Sequence, residues 1–155
     1  MTEVIEYLET KEIPFEVLEH ERAFTALEEA ATLHVDPHIV VKTVLVDTRW
    51  GRVLTVIPGD RRIDMQLLRD ALGDHFAHLA SEVELMGVYP RLELGTLPPL
   101  GRLLELPIFV DGDVMRHDWV VFPAGSQTEA VRARSRDIFD REHVTITRLT
   151  RDPAA

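Results

Sequence analysis

The sequence predicts a mixed α/β fold: a barrel-like mixed β-sheet with helices packed around it, in one domain covering residues 1–155. Three observations lead there. The β-branched runs VVKTVLVD (40–47) and RVLTVIPG (52–59) alternate as strands do and are joined by a short turn. Capped helical segments fall between the strands without a regular βαβ beat. Neither a Gly-x-Gly-x-x-Gly turn nor a Gly-Lys-Ser phosphate loop occurs, which disfavours a doubly wound nucleotide fold. A chain of 155 residues is long enough for one core and short for two.

Each element has its own signal. Thr2 caps a first helix with an apolar face of Val4, Ile5 and Leu8, and Pro14 ends it. PFEVLEH reads as a strand. Thr25 opens a second helix with the capping box T-A-L-E, along which Leu27, Ala30, Ala31 and His34 lie. IVVKTVLVD, the turn TRWG and RVLTVIPG form a hairpin closed by Pro58-Gly59. Asp64 caps MQLLRDALG, which stops on Gly73 as a left-handed cap would. Ser81 caps a short helix through S-E-V-E, ending at Gly87. GTLPPLGRLLELPIFVDGD is mostly rigid loop leading into the strand PIFV, and WVVFPAG is a further strand with a glycine turn. EAVRARSRDIF is ambiguous between strand and helix, HVTITRLT reads as a strand, and DPAA as a loose tail.

Composition narrows the function. Apolar and charged fractions of 45% and 28% are those of an ordinary globular protein. No apolar run approaches the roughly 20 residues of a membrane span, and the acidic, amphipathic N-terminus is unlike a signal peptide. A soluble, cytoplasmic protein without a membrane partner is expected. The absence of cysteine removes disulfides, thiolate nucleophiles and cysteine-based metal centres. A formal charge of −10 argues against a sequence-independent grip on nucleic acid, so DNA is not an expected partner and any RNA must be held locally.

Of the 17 basic residues only Lys11 and Lys42 are lysine. Lys42 shares a strand face with Val40, Val44 and Val46, while Val41, Thr43 and Leu45 form the other. An ammonium taken out of water is costly unless paired. Lys42 is therefore snorkelling at a sheet edge, bridged to Asp47 or Asp111, or facing a cleft that receives a negative group. Two loops could complete such a cleft. In GTLPPLG (95–101), Pro98 and Pro99 contribute no N–H, so free donors concentrate at Gly95, Thr96 and Leu97, where a stiff turn can cradle a carbonyl or an anion. In PAGSQT (123–128), a small-residue turn offers the hydroxyls of Ser126 and Thr128.

Other patterns are weaker. His34 with His38, and His75 with His78, lie near helix ends without the carboxylate of a metallohydrolase motif, and exposed or capping roles are favoured for them. Asp111-Gly-Asp113 reads as a turn, since the rest of a calcium loop is missing. No metal or cofactor is expected. Arg132, Arg134 and Arg136 line one face if EAVRAR is a strand, where they meet phosphates or pair with the abundant carboxylates.

In order and spacing, IPFEVLEH, VVKTVLV, VIPGDRRIDMQLLRDALG, HLASEVELMGVYP, GTLPPLG, LPIFVDGDV and VFPAGSQ resemble the YbaK/EbsC family of aminoacyl-tRNA deacylases. That domain also occurs as the editing insertion of bacterial prolyl-tRNA synthetases. The match runs from about residue 10 to about residue 140. The resemblance implies a mixed α/β fold with a barrel-like sheet and a pocket for the acylated 3′ end of a mischarged tRNA. It implies that Lys42 is the residue most closely tied to activity and that the loop with Gly95, Thr96, Leu97 and Pro98 holds the aminoacyl group. Gly125 and Ser126 fall on its small-residue turn, and His20 and Asp111 on a family histidine and aspartate. The implied reaction is ester hydrolysis with no side-chain nucleophile and no cofactor, helped by the substrate's neighbouring hydroxyl. A second reading, from another class, is a module that holds an acyl-nucleotide or a protein without turnover. The aminoacyl specificity and the choice between monomer and homodimer stay open, and VTITRLT is an extra edge strand or a dimer contact.

Overall fold

The structure is a computed structural model and describes residues 2–151; the DPAA segment lies outside the described residues. Strand alternation organises the molecule into facing layers. Strands β2 (Val41–Thr48) and β3 (Gly51–Pro58) form the expected hairpin, with Lys42 opposite Ile57, Val44 opposite Thr55, and Arg49 and Trp50 at the turn. On one face Val41, Leu45, Leu54 and Val56 point into the main core. On the other, Val46, Val53 and Ile57 pack with Leu68 and Leu149.

The hairpin is the centre of a five-stranded sheet. β4 (His78–Leu79) joins its β2 side; β5 (Ile108–Asp111) pairs in parallel with β3, and β8 (Val144–Thr147) in parallel with β5. The C-terminal segment is thus an edge strand of this sheet. A second sheet holds β1 (Glu16–Glu19), β7 (Glu129–Arg134) and β6 (Trp119–Ser126) in that order, all antiparallel. Its inner residues Val120, Phe122, Ala124 and Val131 meet the inner face of the larger sheet. Val4, Ile5 and Leu8 of α1 (Glu3–Thr10) and Ile138 and Phe139 of α6 (Ser135–Phe139) complete that core.

The mixed α/β class is as expected, but among the described residues the ladders do not close into one ring. The two sheets touch through one isolated parallel bridge, Val40 with Val121, where the Val121 N–H donates to the Ile39 carbonyl at 3.0 Å. Beyond that bridge helix and loop residues fill the seam, and the site described below lies there.

Helix signals are mostly read correctly. Thr2 Oγ accepts from the Ile5 N–H, and Asp64 from Gln66 and Leu67 ahead of α3 (Met65–Leu72), which ends on Gly73 at φ +63°. Thr25 Oγ caps α2 (Ala26–Leu33) by accepting from Glu28 N–H, but the Glu28 carboxylate takes the Thr25 hydroxyl proton, so the reciprocal half of the box is replaced. The ambiguous 129–139 segment is both things in turn, strand β7 and then α6. Three details were not foreseen: the two-residue β4, the short helix α5 (Gly101–Leu104) within the supposed loop, and α4 (Val83–Val88) running through Gly87.

Of the residues expected along α2 only Ala30 is buried. Leu27, Ala31 and His34 are exposed, whereas Ala26, Ala30 and Leu33 pack on Val121, Ala130 and Leu18 of the smaller sheet. Alanine lets helix and sheet approach closely, and that rotation carries Glu29 inward. Glu29 Oε2 lies 3.3 Å from His20 Nε2, both side chains being almost wholly buried. His20 Nδ1 is 2.6 Å from the Glu21 carbonyl; since that oxygen can only accept, Nδ1 carries the proton. Burial pushes the Glu29 carboxyl up to about 8.

This carboxyl predicts a pH effect. Its folded pKa is above the unfolded one, so the folded state holds a proton that the unfolded state releases. The contribution is full below the ordinary carboxylate range and is lost as pH rises through about 8. Urea unfolding from pH 4 to 9 is expected to show a decline in stability that Glu29→Gln flattens; parallel curves for the two proteins would contradict it.

Candidate functional site

A cleft of about 320 Å³ opens at the seam between the sheets. Its walls are the start of α2 (Phe24, Thr25, Ala26), the edge of β2 (Val41–Leu45), Leu79 of β4 with Ala80 and Glu82 of the link that follows it, Gly95 with Leu97, and Pro123 of β6. The edge is free because β4 covers only Val46 and Asp47. Ala80 N–H donates to the Leu45 carbonyl at 2.9 Å, so the Leu45 backbone points toward β4. By alternation, the Thr43 backbone two residues back points the same way, into the cleft.

Lys42 lines this cleft, half-buried. Among the described residues it makes no hydrogen bond or ion pair. Both acids that could have neutralised it are engaged elsewhere. Asp47 accepts from Arg52 Nε at 3.0 Å and lies 3.6 Å from His78 Nε2. Asp111 accepts from the Leu149 and Thr150 N–H groups and from the Thr150 hydroxyl at 2.9–3.1 Å. Burial first, and repulsion from Arg62 second, pull the Lys42 pKa below the ordinary lysine range.

Gly95 adopts φ +79°, and a Cβ there would fall 2.4 Å from the Phe24 carbonyl oxygen. The close approach that glycine permits is thus to the chain itself, backbone on backbone at the mouth of the cleft. The loop is less open to ligands than three free donors would make it. Gly95 N–H bonds the Glu82 carboxylate, and both the N–H and the hydroxyl of Thr96 go to the Glu93 carbonyl. Leu97 keeps an N–H without a partner among the described residues, while Pro98 is buried behind it.

The small-residue turn acts as a bracket. Gly125, at φ +86°, accepts Glu93 N–H at 3.0 Å through its carbonyl; Gln127 Nε2 donates to the Leu94 carbonyl at 2.9 Å, and the Gln127 carbonyl accepts Ala23 N–H at 2.8 Å. The turn therefore ties the Gly95 loop to the segment before α2. Ser126 Oγ is engaged with the hydroxyl and N–H of Thr128. The structure thus brings Lys42, Gly95 and Leu97 together around one space, with Thr96, Pro98 and Gly125 behind the loop. Ser126 and His20 do not line the cleft, and Asp111 borders a different one with Arg116 and Thr150.

Three cleft residues escaped the sequence reading. Thr43 is buried, and its hydroxyl has no partner among the described residues, an unusual state for a buried polar group. In the sequence it is only the polar member of the strand face that holds Val41 and Leu45. Phe24 is 50% exposed at the rim. Glu82, read as part of a capping box, is an N-cap that makes no side-chain cap bond; Ser81 Oγ takes the Val83 N–H instead. Burial raises the Glu82 pKa, and the Gly95 hydrogen bond partly offsets this.

His34 is an exposed left-handed helix cap, and His38 pairs with Asp60 at 2.8 Å. Among the described residues no three His, Cys, Asp or Glu side chains are grouped to hold a metal ion, and no helix is long and apolar enough to cross a membrane.

A backbone-lined cleft with one uncompensated ammonium fits a protein that receives an anionic, carbonyl-bearing ligand. The chain belongs to the aminoacyl-tRNA editing domain family, whose model matches residues 20–140. No curated protein matches the sequence. Among solved structures, the hypothetical protein APE2540 is 21% identical with a TM-score of 0.84, the match covering 96% of this chain and 99% of that one. A protein described as a proposed trans-editing enzyme for prolyl-tRNA synthetase is 22% identical with a TM-score of 0.84, over 97% of this chain and 96% of the other. A proposed signal transduction protein from Marinobacter aquaeolei VT8 is 16% identical with a TM-score of 0.74, over 98% of this chain but only 31% of that one. At these identities the likeness is one of fold.

The contact of Gly95 with Phe24 predicts that Gly95→Ala, which meets both a positive φ and a backbone clash, lowers stability by about 1–3 kcal/mol. Urea unfolding measures it, and an unchanged midpoint would show that the loop does not rest on α2.

Proposed function

We propose that this protein hydrolyses the ester joining an amino acid to the terminal ribose of a mischarged tRNA, acting in trans as a translation quality-control deacylase in the cytoplasm. The observation that carries this reading is Lys42, an ammonium in the cleft with no acidic partner among the described residues. A bound phosphate of the acceptor end supplies the missing charge, which makes Lys42 an anchor and not a Schiff-base former.

The remaining groups fit the other parts of such a substrate. The exposed Phe24 ring offers a stacking surface for the terminal base. The Leu97 N–H, a donor without a partner among the described residues, is suited to the ester carbonyl and to the charge that grows on its oxygen. Glu82 is the carboxylate lining the cleft, and the α-ammonium of the aminoacyl group is its natural complement.

No Ser, Cys or His lines the cleft among the described residues, so water is the nucleophile. Its oxygen adds to the ester carbonyl carbon, the bond from that carbon to the ribose oxygen breaks, and the ribose oxygen takes up the proton that the water gives up. The adjacent ribose hydroxyl relays that proton. The ester is intrinsically labile, so orientation and charge stabilisation are sufficient contributions from the protein.

The test charges tRNAs with alanine, serine, cysteine or proline and follows release. Wild type is expected to free at least one of these, and Lys42→Ala to slow that release by about 10²-fold, the size of one lost charge contact in the transition state. Binding without release by the wild type would favour the non-catalytic module instead, and equal release by the variant would remove Lys42 from the mechanism.

A further inference from the structure

Away from the Lys42 cleft, the outer face of the smaller sheet carries a basic, aromatic surface. Helix α2 covers one end of that face, over Val121 and Ala130. At the other end, Trp119 stands opposite Arg134 in the β6–β7 register. The Arg132 and Arg134 guanidinium carbons lie 4.0 and 4.5 Å from the Trp119 ring centroid. Arg132 also meets Glu16 at 2.7 Å. Arg134 and Arg136 are exposed and form no ion pair with a carboxylate among the described residues. Pairing with acids, the alternative weighed for this run, therefore accounts for Arg132 alone. In a chain of net charge −10, three guanidiniums and two carboxylates around one hollow of about 380 Å³ make a local positive site.

We infer that this surface is a second nucleic-acid contact, which binds the phosphates and a base of the acceptor strand behind the 3′ end held in the Lys42 cleft. Guanidiniums laid against an indole keep their N–H edges turned outward, the geometry that phosphate oxygens take. The apolar wall of Phe15 and the guanidinium planes over Trp119 accept a base face. Trp119 and Pro123 share one face of β6, and Pro123 borders the Lys42 cleft. They are four positions apart, about 13 Å at roughly 3.3 Å per residue, a span of a few nucleotides, and α2 lies over Val121 between them, so a strand that reaches both sites passes beside the helix. An acidic peptide would use the guanidiniums but leave the aromatic walls idle. The inference rests on the proposed function for the identity of the strand, and its test does not depend on catalysis.

The experiment measures binding of uncharged tRNA by fluorescence anisotropy across a salt series, with wild type beside Arg134→Gln/Arg136→Gln. The double variant is expected to bind about tenfold or more weakly at low salt, with the slope of log K against log salt reduced by one to two. Tryptophan emission should be quenched by tRNA in the wild type and not in Trp119→Phe. Hydrolysis of an aminoacyl-adenosine, which has no following phosphates, should be the same in wild type and double variant. Unchanged tRNA affinity and slope in the double variant would overturn the inference while leaving the Lys42 reading intact. Arginine-dependent tRNA binding with no release of any amino acid would support the inference and sink the catalytic reading instead. Absence of tRNA binding by the wild type, or equal binding of polyglutamate through the same arginines, would also overturn the inference.

Discussion

The cost of an uncompensated ammonium is the constraint around which the seam of this molecule is arranged. Lys42 sits where β2 leaves the cover of β4, so its strand has one apolar face in the core and one edge open. Nothing acidic among the described residues neutralises it, and Arg62 repels it. Folding tolerates this because the group is only half-buried. The deficit is an unfilled interaction, and a ligand that brings negative charge recovers it on binding.

The wall beside the lysine is held by the chain's own hydrogen bonds and close packing. The 123–128 turn hydrogen-bonds to both the Gly95 loop and the segment before α2, and Gly95 presses on the Phe24 carbonyl. Three stretches remote in sequence thereby form one rigid wall. A deacylase that works by orienting a labile ester needs such a wall, since a displaced carbonyl forfeits the benefit of fixed donors. The glycines of the loop and the turn serve the chain's own close packing, and that packing in turn sets the shape of the space.

Much of this was legible in the sequence, and what was missed has physical reasons. The hairpin, the caps at Thr2 and Asp64 and the left-handed stop at Gly73 are local events, dictated by residues a few positions apart. The rotation of α2 was misread because Leu27 looks more apolar than Ala26, yet a close helix–sheet contact selects the smaller side chain. Gly95 and Leu97 were expected beside Lys42 and are there, as family-like motifs suggested. Ser126 was expected in the pocket, and its hydroxyl is turned to Thr128 instead. Thr43 was passed over because the sequence does not show that its hydroxyl is buried without a partner among the described residues, and Glu82 because its carboxylate turns to the Gly95 loop and not to its own helix, properties of the folded chain that no spacing rule encodes.

The presence of only two lysines, Lys11 and Lys42, permits a direct measurement of the central claim. Uniform labelling of lysine and NMR titration would give two resolved side-chain signals, with exposed Lys11 as the internal reference. The account requires Lys42 to titrate below the ordinary lysine range in the free protein and to move upward when a non-hydrolysable aminoacyl-adenosine carrying a 5′-phosphate is added. A Lys42 that titrates in the ordinary lysine range and does not respond to the analogue would mean that its charge is already satisfied, and the account would fail.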